Sequence, residues 1–144
     1  MSLAEILAAV PHRPPMLLLD EIVVRTENQI TCRKTFRAEE FFFQGHYPDY
    51  PLVPGVILCE AAMQAGAVLV RKVAEASGAG DVVPIAGRLN DVKFKKMIRP
   101  GDTIEIEANL DDRVSDAYFL SGKITHGGKA ACTLNFVVKL TPKQ

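Results

Sequence analysis

A histidine and a glutamate fourteen positions apart are the residues of this sequence with the clearest potential for chemistry. His46 lies in a segment rich in proline and glycine, and Glu60 is the only charged residue between Gly55 and Val70. Histidine titrates near neutral pH and can act as a general base. A carboxylate on a helix that is apolar on every side is costly unless it is paired, hydrogen-bonded or protonated. The two residues therefore predict an acid–base pair.

Each of these residues also has an interpretation without catalysis. His46 can be a loop histidine with no catalytic task, and Glu60 can face solvent through a gap or pair with an arginine. Gln64 follows Glu60 by one helical turn on the same face, so the two can mark a narrow polar stripe. Gly55 can be a plain helix start, or its backbone N–H can stabilise developing negative charge.

Three further groups of residues have weaker signals. Four basic side chains lie within seven positions, at Lys93, Lys95, Lys96 and Arg99. They can form a solvated strand face or receive an acidic partner. His12 and Arg13, which stand between prolines, are predicted to be structural. His126 precedes two glycines and is predicted to lie at a hairpin end.

Size and composition predict one soluble domain over residues 1–144. The chain is 48% hydrophobic and 24% charged, and its 17 basic and 17 acidic residues balance. This balance favours neither nucleic acid nor an acidic membrane. Cys32, Cys59 and Cys132 lack metal-ligand spacing and are expected to be buried, reduced thiols. No secretory signal or membrane span is recognised, so a cytoplasmic location is expected.

The positions of apolar residues, prolines and glycines predict α+β architecture with an antiparallel sheet. The longest element is an apolar helix from Pro54-Gly55 to about residue 77, preceded by a loop over residues 38–54. A short helix is predicted over residues 2–9. Strands are predicted over residues 16–25, 30–37, 83–89, 92–98, 103–110, 117–126 and 129–140.

Four segments in fixed order resemble the 3-hydroxyacyl-acyl-carrier-protein dehydratases of fatty-acid synthesis. They are residues 11–20 (PHRPPMLLLD), 43–48 (FQGHYP), 51–64 (PLVPGVILCEAAMQ) and 92–102 (VKFKKMIRPGD). The resemblance covers most of the chain. Its strength comes from the spacing between the Gly-His-aromatic-Pro motif, the Pro-Gly pair and the glutamate of the helix.

The resemblance implies a hot-dog fold, in which a bent antiparallel sheet wraps around one long central helix. It also implies that two subunits join their sheets edge to edge, so that His46 of one subunit faces Glu60 of the other. Trimers of such dimers are common in the family. The substrate would be an acyl chain carried by the phosphopantetheine of acyl carrier protein, and no metal or cofactor is expected.

The resemblance assigns a role to each motif residue. His46 would remove a proton from C2 of the 3-hydroxyacyl thioester, and Glu60, protonated or holding a water, would help the 3-hydroxyl to leave. The Gly55 N–H would stabilise the charge on the thioester oxygen. The Leu52 carbonyl would orient the imidazole, and Gln64 is grouped with it as an orienting residue. The basic residues between 93 and 99 would bind the carrier.

Two features depart from the family pattern. Tyr47 stands where phenylalanine is commoner, and Asp49-Tyr50 replaces a frequent Gly-Asn, which adds bulk near the expected tunnel. Glutamate rather than aspartate at position 60 favours a dehydratase without isomerase activity. Two other functions remain open: a hot-dog acyl thioesterase, and a non-catalytic acyl-carrier binding partner in a specialised pathway.

Overall fold

The apolar run after Pro54 forms the central helix of the protein. The computed structural model describes residues 3–47, 49–78 and 80–142. The helix, α2, spans Gly55–Ala76, with Pro54 at its N-cap. Its C-cap is Ser77, which is followed by Gly78 with a φ of +83°, a conformation that glycine adopts without steric cost. The predicted helix over residues 54–77 is confirmed.

The other elements are one short helix and the strands. Helix α1 spans Leu3–Ala9, so the predicted start at Ser2 lies outside the described residues. The strands are β1 (Glu21–Arg25), β2 (Gln29–Thr35), β3 (Val82–Phe94), β4 (Thr103–Val114), β5 (Ala117–His126) and β6 (Lys129–Pro142). A 3₁₀ turn at Phe41–Phe43 lies within the predicted loop.

The strands described here form one six-stranded sheet in the order β1-β2-β4-β5-β6-β3, and every neighbouring pair is antiparallel. Side chains alternate between the two sides of the sheet: Ile104, Ile106 and Ala108 of β4 are buried, whereas Glu105 is exposed. Helix α2 packs against β2, β3, β4, β5 and β6. The sheet therefore wraps around the helix, which confirms the predicted α+β hot-dog architecture.

The region predicted as two strands, residues 83–89 and 92–98, forms the single strand β3, so that prediction is wrong. β3 pairs with β6 over the whole length of β3, from Val82 opposite Pro142 to Phe94 opposite Cys132, and the register shifts twice, at Ala86/Arg88 and at Asn90/Lys93. Asp91 has a φ of +54° inside the second irregularity. Because β6 supplies an uninterrupted partner, the polar pair at 90–91 forms a bulge and not a turn.

Two strand boundaries also differ from the prediction. β1 begins at Glu21 and not at residue 16, although the Asp20 N–H still donates to the Arg33 carbonyl. β3 ends at Phe94, so Ile98 lies in the following loop, where it is 1% exposed and accepts a hydrogen bond from the Val53 N–H. The three cysteines are buried free thiols, as predicted. Within the described part of the chain, no helix is long and apolar enough to cross a membrane.

Candidate active site

Glu60 lies in the second turn of α2 and is paired within its own chain. Its Oε2 is 3.2 Å from Nε2 of His12 and accepts a hydrogen bond of 3.0 Å from Nε2 of Gln64. The side chains of Glu60 and His12 are each 28% exposed. The carboxylate is thus half-buried and hydrogen-bonded, and its partner is a histidine and not the arginine considered from the sequence.

Gln64 fastens the N-terminal segment to the central helix. This side chain is buried, with 1% exposed. Its Nε2 also donates to the Met16 carbonyl, and its Oε1 accepts from the Leu18 N–H, both at 2.8 Å. The predicted proximity of Gln64 to Glu60 is present, and the same amide holds the chain that carries His12.

The segment that carries His12 is fixed at its other end by Arg13. The guanidinium of Arg13 donates to the carbonyls of Leu7, Val10 and His12 at 2.7–3.0 Å. A cation suits the C-terminal end of a helix such as α1, where carbonyl groups lack partners. Arg13 is therefore structural, as predicted. His12, which the sequence also assigned a structural role, contacts a predicted catalytic residue.

The hydrogen bond from His12 lowers the pKa of Glu60 below its ordinary value of 4.5. The Gln64 amide and the electrostatic influence of His12 act in the same direction, whereas burial acts against them. In this environment Glu60 is a carboxylate at neutral pH. The resemblance implied a Glu60 that is protonated or holds a water, and the surroundings of Glu60 within the single chain favour the ionised over the protonated form.

His46 lies in the loop before α2 and is half-buried. Its Nδ1 is 3.1 Å from the Leu52 carbonyl oxygen, and the Tyr47 ring packs edge-on against the imidazole with centroids 4.7 Å apart. A proton on Nδ1 is donated to that carbonyl, which leaves the lone pair on Nε2. The arrangement therefore suits a base that acts through Nε2.

An aromatic ring covers the start of α2 at Gly55. A Cβ added to Gly55 would lie 2.7 Å from Cε1 and Cζ of Phe94, which is closer than side chains approach in proteins. The first N–H groups of a helix also lack a carbonyl four residues earlier. Gly55 thus packs closely against Phe94 and places a backbone N–H donor at the N-terminus of α2.

His46 and Glu60 have separate sets of partners within the chain. Glu60, His12 and Gln64 line a cavity of about 320 Å³, and the rest of its lining is Pro11, Met63, Ala67, Pro84, Ile85, Ala86 and Val138. His46 does not line it. A larger cavity of about 910 Å³ lies between the β1–β2 hairpin and the C-terminal half of α2, and no predicted site residue lines it. The smaller cavity is therefore the better candidate for an active site, because Glu60 and Gln64 line it.

The four basic residues do not form one free surface. Lys93 lies on β3, opposite Thr133, and the other three follow the strand. Lys96 donates to the His126 carbonyl at 3.1 Å. Arg99 donates to the Tyr50 hydroxyl and stacks over its ring, 5.0 Å from the centroid. Two of the four cations are therefore engaged within the chain.

Sequence reasoning missed the contact between His12 and Glu60. His12 belongs to the PHRPP motif that carries part of the family resemblance, but it lies 48 residues before Glu60. No local periodicity connects the two. The only available signal was the shared presence of both residues among the quoted motifs.

Family and sequence comparisons agree on one group of enzymes. The model of the ApeI-like family, described as ApeI dehydratase, matches residues 23–133. The 3-hydroxyacyl-[acyl-carrier-protein] dehydratase FabZ of Clostridium perfringens is 38% identical over 133 residues, which cover 92% of this chain and 94% of that protein. FabZ of Oenococcus oeni is 37% identical over 145 residues, covering 96% of this chain and all of that protein.

Solved structures show the same fold at low identity. The dehydratase heterocomplex ApeI:P from Xenorhabdus doucetiae matches with a TM-score of 0.82 and 19% identity, covering 96% of this chain and 91% of that chain. A hypothetical thioesterase from Streptococcus pneumoniae, solved with coenzyme A, matches with a TM-score of 0.68 and 12% identity, covering 98% and 94%. The fold is thus shared by a dehydratase complex and a hypothetical thioesterase, and these structural matches identify the fold alone.

Proposed function

The chain belongs to the 3-hydroxyacyl-[acyl-carrier-protein] dehydratase family and is a dehydratase of 3-hydroxyacyl chains in fatty-acid biosynthesis, and we propose that His46 and Glu60 carry out this reaction. The observation that supports this most directly is the contact between His46 Nδ1 and the Leu52 carbonyl. It fixes the imidazole so that the other nitrogen, Nε2, can act as the base.

In the proposed reaction, His46 accepts one proton and Glu60 supplies one. Nε2 of His46 takes the proton from C2 of the 3-hydroxyacyl thioester, and the C2–H electron pair forms the double bond to C3. The C3–O bond breaks, and the hydroxyl leaves as water with the proton of Glu60. The Gly55 N–H stabilises the negative charge that develops on the thioester oxygen. The product is a trans-2-enoyl thioester.

The two directions of the reaction require different protonation states of Glu60. Dehydration starts with Glu60 protonated, and the reverse hydration starts with the carboxylate, which takes a proton from the attacking water. The hydrogen bond from His12 lowers the pKa of Glu60 and favours the second state. Burial by a bound acyl chain and a second subunit would raise that pKa again. Occupancy of the site would thus bring Glu60 toward the acid form.

The pair is proposed to meet across a homodimer interface. In one chain, Glu60 is held by His12 and Gln64, and His46 by Leu52. β3 is an edge of the sheet and exposes Ile85, Leu89 and Phe94. An edge strand with apolar side chains is a template for pairing with another chain. Two copies joined through β3 would build the sites, and trimers of these dimers are the larger assembly implied by the resemblance.

Acyl carrier protein is the proposed partner that delivers the chain. Lys93 and Lys95 are exposed, and a carrier with an acidic surface would be attracted to them. Lys96 and Arg99 belong to the same proposed surface, although each already has a contact within the chain. A cytoplasmic location completes the proposal, because the buried free cysteines suit a reducing compartment.

Mixed dimers test the proposed site most sharply. We expect His46→Ala and Glu60→Gln each to abolish hydration of a short trans-2-enoyl thioester while the protein stays folded. When the two variants are mixed by refolding or coexpression, about half of the dimers are mixed and each has one intact site, so about a quarter of the activity returns. A site within one chain predicts no recovery. Full activity in either single variant contradicts the assignment, and release of free thiol would indicate a thioesterase.

Charge reversal tests the proposed carrier surface. We expect Lys95→Glu to raise KM for carrier-linked substrates and to leave a small thioester substrate unaffected, because the small substrate makes no contact with the carrier surface. Lys139→Glu, which changes an exposed lysine on β6, is the matched control. Equal effects on both substrates, or in both variants, would contradict docking at this surface. Binding of carrier without any turnover would instead indicate the non-catalytic alternative.

A further inference from the structure

The carboxylate oxygens of Glu60 are unequally engaged. His12 Nε2 and Gln64 Nε2 both approach Oε2, at 3.2 and 3.0 Å. Among the described residues no hydrogen bond to Oε1 is found, and Glu60 lines the cavity of about 320 Å³. One oxygen is therefore held by the protein, and the other is left for a ligand.

Within the described residues of one chain, the cavity around the pair has no other titratable side chain in its lining, and the proposed dimer adds only His46 of the second copy. Of the ten residues that line the cavity, His12 and Glu60 are the titratable ones. Pro84, Ile85 and Ala86 of β3 and Val138 of β6 line the opposite wall with apolar side chains. Arg13 is turned away, because its guanidinium donates to backbone carbonyls. The position of Glu60 Oε2 thus depends on His12 and Gln64.

The second nitrogen of His12 fixes the form of the imidazole. His12 Nδ1 is buried and has no hydrogen-bond partner in the described structure. A proton on Nδ1 would be a buried donor without an acceptor, which is unfavourable. A proton on Nε2 has an acceptor, because this nitrogen lies 3.2 Å from Oε2 of Glu60.

We propose that His12 is a positioning residue, which holds Oε2 of Glu60 so that Oε1 faces the 3-hydroxyl of the substrate. This inference rests on the proposed function of Glu60 and adds a residue to it. Gln64 alone cannot replace the contact, since its amide is shared with the Met16 carbonyl and the Leu18 N–H. His12 thereby connects the N-terminal segment to the chemistry.

Two substitutions of equal size separate the hydrogen bond from packing. His12→Gln keeps an N–H donor near the position of Nε2, and His12→Met fills similar space without one. We expect His12→Met to lower kcat for enoyl hydration on the order of 10- to 100-fold with little change in KM, because misplaced catalytic groups cost rate more than binding. His12→Gln should stay within about threefold of the wild type.

The pH profile supplies a second readout. In hydration Glu60 acts as the carboxylate, so activity falls at low pH as it becomes protonated. Loss of the His12 donor raises the pKa of Glu60, and the acid limb of kcat/KM should move to higher pH in His12→Met but not in His12→Gln. The matched control is His126→Gln: His126 Nε2 lies 3.5 Å from Asp102, it is also 28% exposed, and its Nδ1 is also buried without a partner.

The outcomes for the His12 variants and for Glu60→Gln separate this inference from the proposed function. Wild-type kcat and pH profile in His12→Met overturn the inference, as does an equal loss in His12→Gln or in His126→Gln. Full activity in Glu60→Gln overturns the proposed function itself. If His12→Met does not fold, imidazole ¹⁵N spectra of the wild type decide: a protonated Nε2 supports the inference, and an Nε2 without a proton overturns it.

Discussion

Gly66 is the residue at which a single methyl group should have the clearest effect on stability. It lies in the middle of α2 and is buried. A Cβ at this position would be 2.6 Å from Cε2 and Cζ of Phe136, and 3.2 Å from Cδ2 of Leu120. Phe136 and Leu120 are 1% and 2% exposed, so neither can move without displacing other core atoms. Gly66→Ala therefore places a methyl group where an aromatic ring already lies.

Two opposing contributions set the size of the effect. Alanine is favoured over glycine inside a helix by about 1 kcal/mol. Forcing a methyl group into a packed core costs about 1–3 kcal/mol. The free energy of unfolding should therefore fall by up to about 2 kcal/mol in Gly66→Ala. If Phe136 is first shortened to leucine, the collision with the ring disappears and only the 3.2 Å contact with Leu120 remains, so the same change should raise stability by up to about 1 kcal/mol.

The wild type, Gly66→Ala, Phe136→Leu and the double variant form a double-mutant cycle. Their free energies of unfolding are measured by urea unfolding followed by circular dichroism, with all four proteins at one concentration because association contributes to stability. The expected coupling between Gly66→Ala and Phe136→Leu is about 1–3 kcal/mol, equal to the overpacking cost. A Gly66→Ala protein that is more stable than the wild type, with no coupling to Phe136→Leu, would refute the reasoning. It would show that the helix and the sheet separate easily at this contact.

Three other predictions concern buried polar groups. Lys34 is 4% exposed, and its Nζ lies 2.8 Å from Oε2 of Glu40. In urea unfolding, Lys34→Met should lower the free energy of unfolding by about 3–5 kcal/mol, whereas Arg33→Met on the exposed face of the same strand should lower it by about 0–1 kcal/mol. Equal losses in the two variants would contradict this prediction. The Tyr118 hydroxyl is buried and has no hydrogen-bond partner among the described residues. Tyr118→Phe should therefore leave the free energy of unfolding unchanged or raise it by up to about 3 kcal/mol. A lower free energy of unfolding would show that the hydroxyl does form a hydrogen bond in the folded protein. The lowered pKa of Glu60 means that its ionised form stabilises the fold above pH 4.5 and that this contribution disappears as pH falls through the folded pKa. Acid unfolding of Glu60→Gln should therefore be less steep below pH 4.5, and an identical slope would show that the ion contributes nothing.

The elements that depend on local pattern were predictable from the sequence. The apolar run between Pro54 and Gly78 predicts the central helix, because proline and glycine mark its ends and a helix that is apolar on every side must be enclosed. The alternation in β4 predicts a strand with one buried face. The contact between Glu60 and Gln64 follows from the helical repeat.

Features that depend on a distant strand were not predictable. From local sequence, the polar pair Asn90-Asp91 predicts an interruption between two strands. In the structure the pair forms a bulge, and β3 continues through it because β6 pairs with β3 on both sides. The contacts that engage Lys96 and Arg99 were not predictable either, because they depend on residues that are distant in sequence. Their partners, His126 and Tyr50, come from other parts of the chain.

The sequence by itself determined which residues are candidates for chemistry, because side-chain type and local spacing suffice to recognise His46, Gly55 and Glu60. Only the tertiary structure decided the state of Glu60. The contact with His12 exists because Arg13 and Gln64 fix the N-terminal segment against α2, which no local repeat encodes. A carboxylate's pKa depends on the donors and the burial around it, and those are set by the folded chain and not by neighbouring positions in sequence.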